Sequence, residues 1–313
     1  FISSYINQYL KKDIDISLFK YPQEAIDAIK NNPPDLIALS NYSWNSNLSE
    51  FVSSLAKKYN PNVITAQGGT NFPHEPELQK DFVSRKKHTD VFMILEGEKS
   101  TLNLVQRILD CDLDKSKIFD KPIDGCVFIH PDSKNLSEDK QKFIIGEKLS
   151  RIKHLDEIPS PYLNGMLDKF FDGNLTPFLE TNRGCPFKCS FCHTGNDYYL
   201  KINKFSSERI KDEIEYIGKR AGKLGITNLH MADVNFGMFP QDAQVCEWLM
   251  ESKRKYGWPL QIMATTGKNA KERIVEVTNI LDPGMLNINM SAQAVDFNVL
   301  ENINRSNIKI SVM

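Results

Sequence analysis

The stretch Arg183-Gly184-Cys185-Pro186-Phe187-Lys188-Cys189-Ser190-Phe191-Cys192 decides how this chain is read. It spaces three cysteines as C-x-x-x-C-x-x-C and directly follows 176–181, which reads as a strand. Thiolates are the ligands of iron–sulfur clusters. One tight loop can deliver Cys185, Cys189 and Cys192 to three irons of a [4Fe–4S] cluster and leave the fourth iron open to a small molecule. Gly184 and Pro186 suit a closely wrapped loop, whose backbone N–H groups can bond the cluster sulfides. The competing reading is a zinc knuckle with His193 as fourth ligand. Such sites usually join two separate ligand couples, which this spacing does not offer. Cys111, Cys126 and Cys246 are scattered and read as small core residues.

Downstream of the cysteines, strand and helix patterns alternate. Strands are expected at 176–181, 226–231, 260–264 and 285–290, with helices at 207–221, 241–255 and 269–281. The first of these helices is well marked: Ser206 or Ser207 can cap it, Glu208 suits its positive end, and Ile210, Ile214, Ile217 and Ala221 form one stripe. Such alternation builds a parallel sheet through right-handed crossovers, here the first part of a (β/α) barrel.

Upstream, 112–175 reads as a connector. It holds one small hairpin, 124–130 against 142–145, and the irregular run Ile158-Pro159-Ser160-Pro161-Tyr162. Residues 1–111 alternate again: strands at 35–40, 62–66 and 90–95, and helices at 2–10, 48–59 and 99–109. The loops Ser40–Asn45, Gly68–Gly69 and Glu96–Glu98 follow the three strands, at the carboxyl edge where such sheets take ligands. The chain opens in a helix, whereas a doubly wound domain usually opens in a strand. We therefore expect the first strand and its loop to be missing from this sequence. The organisation expected is 1–111, 112–175 and 176–313.

The bulk numbers fit this reading and narrow it. With 313 residues, 41% hydrophobic and 25% charged, the chain can bury two ordinary cores. A net charge of −1 gives no basic surplus for a nucleic-acid backbone. No run of about 18 apolar residues would span a membrane, and the first residues, Phe1 to Ile6, lack the charged start and long apolar centre of a signal peptide. Six cysteines, three of them clustered, fit a metal site in a reducing compartment, and we expect a cytoplasmic protein.

The cysteine loop after a barrel strand resembles that of the radical S-adenosylmethionine (SAM) superfamily. The resemblance implies that Cys185, Cys189 and Cys192 hold the cluster, that SAM chelates the open iron, and that one electron from the cluster cleaves it to a 5′-deoxyadenosyl radical. It places Phe191 near the adenine. It places Asp233, in Met231-Ala232-Asp233-Val234, at the methionine amino group, and Ser291 and Gln293 at the ribose or carboxylate. An electron donor such as flavodoxin or ferredoxin is implied as a partner.

The order of motifs in the whole chain is similar to that of cobalamin-binding radical SAM enzymes. The fold class expected is thus α/β, a Rossmann-like cobalamin-binding domain followed by a partial radical SAM barrel. The resemblance assigns cobalamin contacts to Ser40, Tyr42, Trp44, Asn45, Gly68, Gly69, Glu96, Gly97 and Glu98. Glycines there would let a flat heterocycle slide against the sheet. The family's serine motif has a leucine two residues on, where Tyr42 stands, and its cobalt-ligating D-x-H-x-x-G loop would follow the missing first strand. Read as a fold residue instead, Trp44 would be a core aromatic.

The leading expectation is a cobalamin-dependent radical methyltransferase acting on an unactivated carbon or phosphorus of a small-molecule or peptide substrate. A cyclase or rearrangement enzyme with the same cofactors is the alternative. A non-catalytic iron–sulfur electron-transfer or sensor protein is the alternative of another class. A methylthiotransferase would place three further cluster cysteines in the first domain, where only Cys111 occurs.

Overall fold

The computed structural model describes residues 1–267, 270–288 and 292–307. The chain divides into two compact units, Phe1–Arg151 and Ile152–Met313.

The first unit opens with helices α1 (Ile2–Leu10) and α2 (Pro22–Asn31). It continues through β1 (Leu36–Ser40), α3 (Ser46–Tyr59), β2 (Ile64–Gly68), α4 (Pro76–Ser84), β3 (Val91–Met93), α5 (Gly97–Asp110) and the short α6 (Lys115–Ile118). The hairpin strands β4 (Cys126–Ile129) and β5 (Phe143–Ile145) complete it. The sheet order is β1-β2-β3-β4-β5. The first three strands are parallel, with Ala38 opposite Ala66 and Gln67 opposite Phe92, and the last two are antiparallel.

Alternating side chains divide between two faces. Ile64, Ala66, Val91, Met93, Cys126 and Phe128 pack with Leu104, Ile108 and Ile118 from α5 and α6. On the other face Val63 packs with Ile29, Val52 and Ala56 from α2 and α3, and Phe92 and Val127 pack with Val83 from α4. Helices on both faces of a mostly parallel sheet make this unit doubly wound, as expected. The hairpin placed in the connector continues this sheet. Phe92 pairs with Val127 through the backbone, a long-range contact that local patterning does not reveal. Helices α2 and α4, both begun by a proline, have no counterpart among the expected elements.

The second unit holds β6 (Phe178–Leu179), β7 (Asn182–Arg183), β8 (Asn203–Lys204), α7 (Ser207–Lys223), β9 (Asn228–Met231), α8 (Pro240–Tyr256), β10 (Gln261–Met263), α9 (Lys271–Ile280) and α10 (Phe297–Asn302). Its main sheet is parallel in the order β10-β9-β6, with α7 and α8 as crossovers. Among the described residues a parallel bridge, Ile262 to Leu286, falls in the fourth strand expected at 285–290. Residues 289 and 290 of that strand lie outside the described set. Sequential parallel strands joined by helices form a partial (β/α) barrel.

Helix α7 begins where Ser206 Oγ accepts from Arg209 N at 3.3 Å, and its stripe Ile210, Ile214, Ile217 and Ala221 is buried as expected. Burying each isoleucine is worth about 2 kcal/mol. Ahead of the barrel, the Tyr162 hydroxyl donates to Phe178 O at 2.8 Å and accepts from Phe178 N at 3.1 Å, which fixes the start of β6.

Candidate metal centre

The three cysteines lie between β7 and β8, an antiparallel pair that closes the base of their loop: Asn182 faces Lys204 and Arg183 faces Asn203. Gly184 adopts φ +120°, and a Cβ there would fall 2.5 Å from Lys201 O. Only glycine lets the loop leave the strand so close to its return. At the far side, a Cβ on Gly195 would fall 2.2 Å from Cys189 O. The loop is tied within by Cys192 N to Cys189 O (3.0 Å), Gly195 N to Cys192 O (2.9 Å) and Cys185 N to Tyr199 O (2.9 Å). Cys185 and Cys189 are buried and Cys192 is exposed.

Each of the three sulfurs has a polar side chain beside it. Asn235 Nδ2 donates to Cys185 Sγ at 3.3 Å, Arg305 Nη1 donates to Cys189 Sγ at 3.5 Å, and Thr194 Oγ1 lies 3.2 Å from Cys192 Sγ. Among the described residues, no three His, Cys, Asp or Glu side chains converge where one metal ion would sit. A cluster asks for a different arrangement, since each thiolate takes its own iron and the loop surrounds the group rather than meeting at one point. Three thiols within eight residues on one glycine-closed loop, with hydrogen-bond donors at their sulfurs, fit that demand. His193 Nε2 lies 3.2 Å from Tyr199 Oη.

Phe191 is 52% exposed, and the Arg305 guanidinium lies 5.7 Å from its ring centre. Asp233 follows β9 and is buried. One of its oxygens accepts from Thr181 N (2.8 Å) and Asn182 N (3.3 Å); the other accepts from the Thr181 hydroxyl and from Asn182 Nδ2 (3.1 Å). A carboxylate has about four lone-pair sites, and here protein donors occupy all of them. Where the resemblance put Asp233 at the methionine amino group, the structure has it holding the segment between β6 and β7 that launches the cysteine loop. Burial pushes its pKa up to about 7, against the pull of the Thr181 donors. Gln293 is exposed in the left-handed region at φ 64°. Ser291 lies outside the described residues.

In the first unit the expected cofactor residues gather at the carboxyl ends of β1, β2 and β3. Trp44 is 79% exposed, so it is no core aromatic, and it stacks on Tyr42 with centroids 4.6 Å apart and planes 5° apart. Asn45 ties this corner together: its Oδ1 accepts from Tyr42 N at 2.7 Å and its Nδ2 donates to the exposed Ser40 Oγ at 2.8 Å. Gly69 has φ +140°, and a Cβ would lie 2.5 Å from Asn41 O. The space kept open by this glycine is therefore filled by the protein's own backbone, rather than being left for a heterocycle. At Gly97 a Cβ would meet only the tip of the Ile2 side chain, 2.6 Å away. Glu96 pairs with Arg151 Nε at 2.8 Å, and Glu98 is buried. Trp44 and Ser40 are thus the exposed side chains among the residues expected at this edge. An exposed flat ring beside a hydroxyl fits the flat, nitrogen-bearing group that cobalamin would bring.

Asn235 and Arg305 were not legible in the sequence. Asn235 stands two residues past Asp233, in a loop held by Phe236, whose N–H bonds Thr265 O at 2.9 Å. Arg305 comes from 116 residues beyond Cys189, and no local pattern marks it.

The methyltransferase TokK of Streptomyces tokunonensis, described as a cobalamin-dependent radical SAM enzyme, is 30% identical over 299 residues. The match covers 91% of this chain and 40% of TokK. The 2-(S-pantetheinyl)-carbapenam-3-carboxylate methyltransferase of Streptantibioticus cattleyicolor is 27% identical over 328 residues, covering 98% of this chain and 44% of that protein. Among solved structures, the cobalamin-dependent SAM radical enzyme OxsB, with aqua-cobalamin and SAM bound, superposes with a TM-score of 0.60 at 20% identity. It covers 96% of this chain and 42% of OxsB. No family model matches the chain. The chain belongs to the cobalamin-binding radical SAM superfamily. It spans less than half the length of these relatives. Among the described residues, no helix is long and apolar enough to cross a membrane.

Proposed function

We propose that the protein is a cobalamin-dependent radical SAM methyltransferase acting on an unactivated centre of a small molecule. The observation that carries this reading is the glycine-closed loop with a polar side chain at each of its three cysteine sulfurs. It occurs in one chain with a doubly wound unit whose carboxyl edge presents an exposed Trp44–Tyr42 stack. Cys185, Cys189 and Cys192 would hold the [4Fe–4S] cluster, and Trp44, Tyr42 and Ser40 would face cobalamin. When bound, the cluster supplies the electron that cleaves SAM, and cobalamin supplies the methyl group.

The chain's own residues do the rest. Asp233 fixes the strand end that presents the loop, and Gly184 sets its exit. Phe191, half exposed at the loop's tip, offers an apolar ring for the adenine of SAM. The electron comes from a small carrier such as flavodoxin or ferredoxin. The two relatives named as methyltransferases favour methyl transfer over rearrangement.

The test is anaerobic reconstitution of the full-length protein with iron, sulfide and cobalamin, followed by turnover with methyl-labelled SAM and candidate small molecules. Label in the product is expected. A product rearranged without label would replace methyl transfer with the cyclase reading, and a protein that binds no cobalamin would end both.

A further inference from the structure

The hydrogen bonds at Cys185 and Cys189 come from two residues far from the cysteine loop in sequence. Asn235 sits in the loop after β9. That loop is locked by fully buried Phe236, which pairs with Thr266 as a parallel bridge. The lock sets the Asn235 amide against Cys185 Sγ. Arg305 lies just past α10, whose Leu300 is buried. Its own N–H bonds Leu300 O at 2.9 Å, and Ile303 O accepts from Ser190 N at 3.1 Å. The end of α10 is thereby fastened to the cysteine loop, and this fastening brings the guanidinium to Cys189 Sγ and to the Phe191 ring. Two separate elements, 50 and 116 residues away from their cysteines in sequence, each place one N–H donor on one sulfur.

We infer that Asn235 and Arg305 are positioning residues that orient two of the three cluster thiolates, and that Arg305 biases the cluster toward its reduced state. The inference rests on the cluster reading above. Its chemistry is direct. Reduction adds one negative charge, which spreads onto the thiolate sulfurs. A donor at a sulfur stabilises that charge, and a cationic donor does so about twice as strongly as a neutral one. Groups in this outer position orient the ligands and set the potential. Arg305 therefore acts through Cys189, and its guanidinium, 5.7 Å from the Phe191 ring centre, couples the same side chain to the ring proposed to meet the adenine.

The experiment compares full-length wild type with Arg305→Met, Arg305→Lys and Asn235→Leu. Each is reconstituted anaerobically, assayed for iron and acid-labile sulfide, checked by circular dichroism, and titrated with dithionite under electron paramagnetic resonance. At equal iron content, the midpoint potential should move negative in Arg305→Met, less in Arg305→Lys, and least in Asn235→Leu. A variant that keeps its secondary structure but loses its cluster also supports the inference, provided Arg305→Lys regains what Arg305→Met loses. Unchanged midpoints at equal iron would overturn it, as would joint loss of iron and secondary structure in all three variants, which is the behaviour of scaffold residues. A wild type that takes up no cluster is a separate result, since it removes the cluster reading itself.

Discussion

Two aspartates, one in each unit, tie strand ends through a threonine amide and hydroxyl, Thr65 for the partly buried Asp90 and Thr181 for the buried Asp233, and differ in the charges around them. Asp90 stands just before β3, at the amino edge of the first sheet. Lys57 and Lys134 lie 2.5 and 3.4 Å from one of its oxygens and Lys115 3.9 Å from the other. Burial works against its charge, and the ammonium groups of Lys134 and Lys57 outweigh burial, so the carboxyl stays below the usual range. Asp233 stands at the carboxyl edge of the second sheet and is held by amide and hydroxyl donors of Thr181 and Asn182. There burial prevails and the pKa rises. The difference follows position. The amino edge of a parallel sheet carries no ligand, and a carboxylate there can be saturated with cations. At the carboxyl edge, neutral donors of Thr181 and Asn182 hold the start of the loop in shape and leave the charge at the thiolates to Arg305.

The largest effect expected separates the units outright. Cys189→Ala removes one ligand and should abolish cluster assembly while the first unit, which shares no residue with the loop, stays folded. Iron analysis with hydrogen exchange on peptides from β1 to β3 measures both at once. Retained stoichiometric iron would refute the ligand assignment. Next comes Asp90→Asn, which removes the carboxylate that Lys57, Lys115 and Lys134 share. We expect a loss of about 2–3 kcal/mol in denaturant unfolding, at or just below the low end for a broken buried pair because the lysines keep some solvent. Reconstituted iron should be unchanged. A falling iron content would mean that the two aspartates do not act on separate units.

The pH dependence sharpens the contrast, because the two signs differ. Asp90 has a lowered pKa, so its contribution is present above the ordinary aspartate value of about 3.9 and is lost as pH falls through the lowered one. Asp233 has a raised pKa, so its contribution is complete below about 3.9 and is lost as pH rises through about 7. Asp242, which caps α8 by accepting from Phe239 N at 2.9 Å, is raised by burial to about 6 and adds in the same sense. Between pH 5 and 8 the second unit should therefore loosen around residues 178–204 and 228–242, while the part Asp90 plays in the first stays constant. Hydrogen exchange corrected for intrinsic rates reads this directly. Protection that falls equally in both units would contradict it, and Asp233→Asn should flatten the response in the second.

The same contrast explains what could be read from the sequence. Apolar runs such as Asp90–Leu95 and the stripe of α7 report local periodicity, and the strands and helix they foretold are present. The cysteine spacing is local too, and it led to the family. What escaped is set by contacts through space. The hairpin β4–β5 joins the sheet by backbone pairing with β3, and Arg305 reaches Cys189 only because α10 folds back on the loop. Asp233 was noticed as a polar residue at a strand end, yet sequence could not show that Thr181 and Asn182 would occupy its oxygens. Gly69 was noticed as a close-approach glycine, and what approaches it is Asn41.

The smallest effect on stability belongs to Trp44, and it sets the first unit's open corner against its tied one. A side chain 79% exposed and stacked on Tyr42 adds little to folding. Trp44→Ala should change unfolding free energy by no more than about 0.5 kcal/mol. If the ring instead serves a flat cofactor face, its loss removes a stacking contact of about 1 kcal/mol, which corresponds to roughly five-fold weaker binding. Trp44→Phe should keep most of that affinity. Titrating full-length apoprotein with hydroxocobalamin by absorption, alongside urea unfolding, distinguishes the two roles. A variant that binds as wild type but unfolds more easily would return Trp44 to the scaffold, and would leave Ser40 as the exposed side chain among the residues expected at that edge.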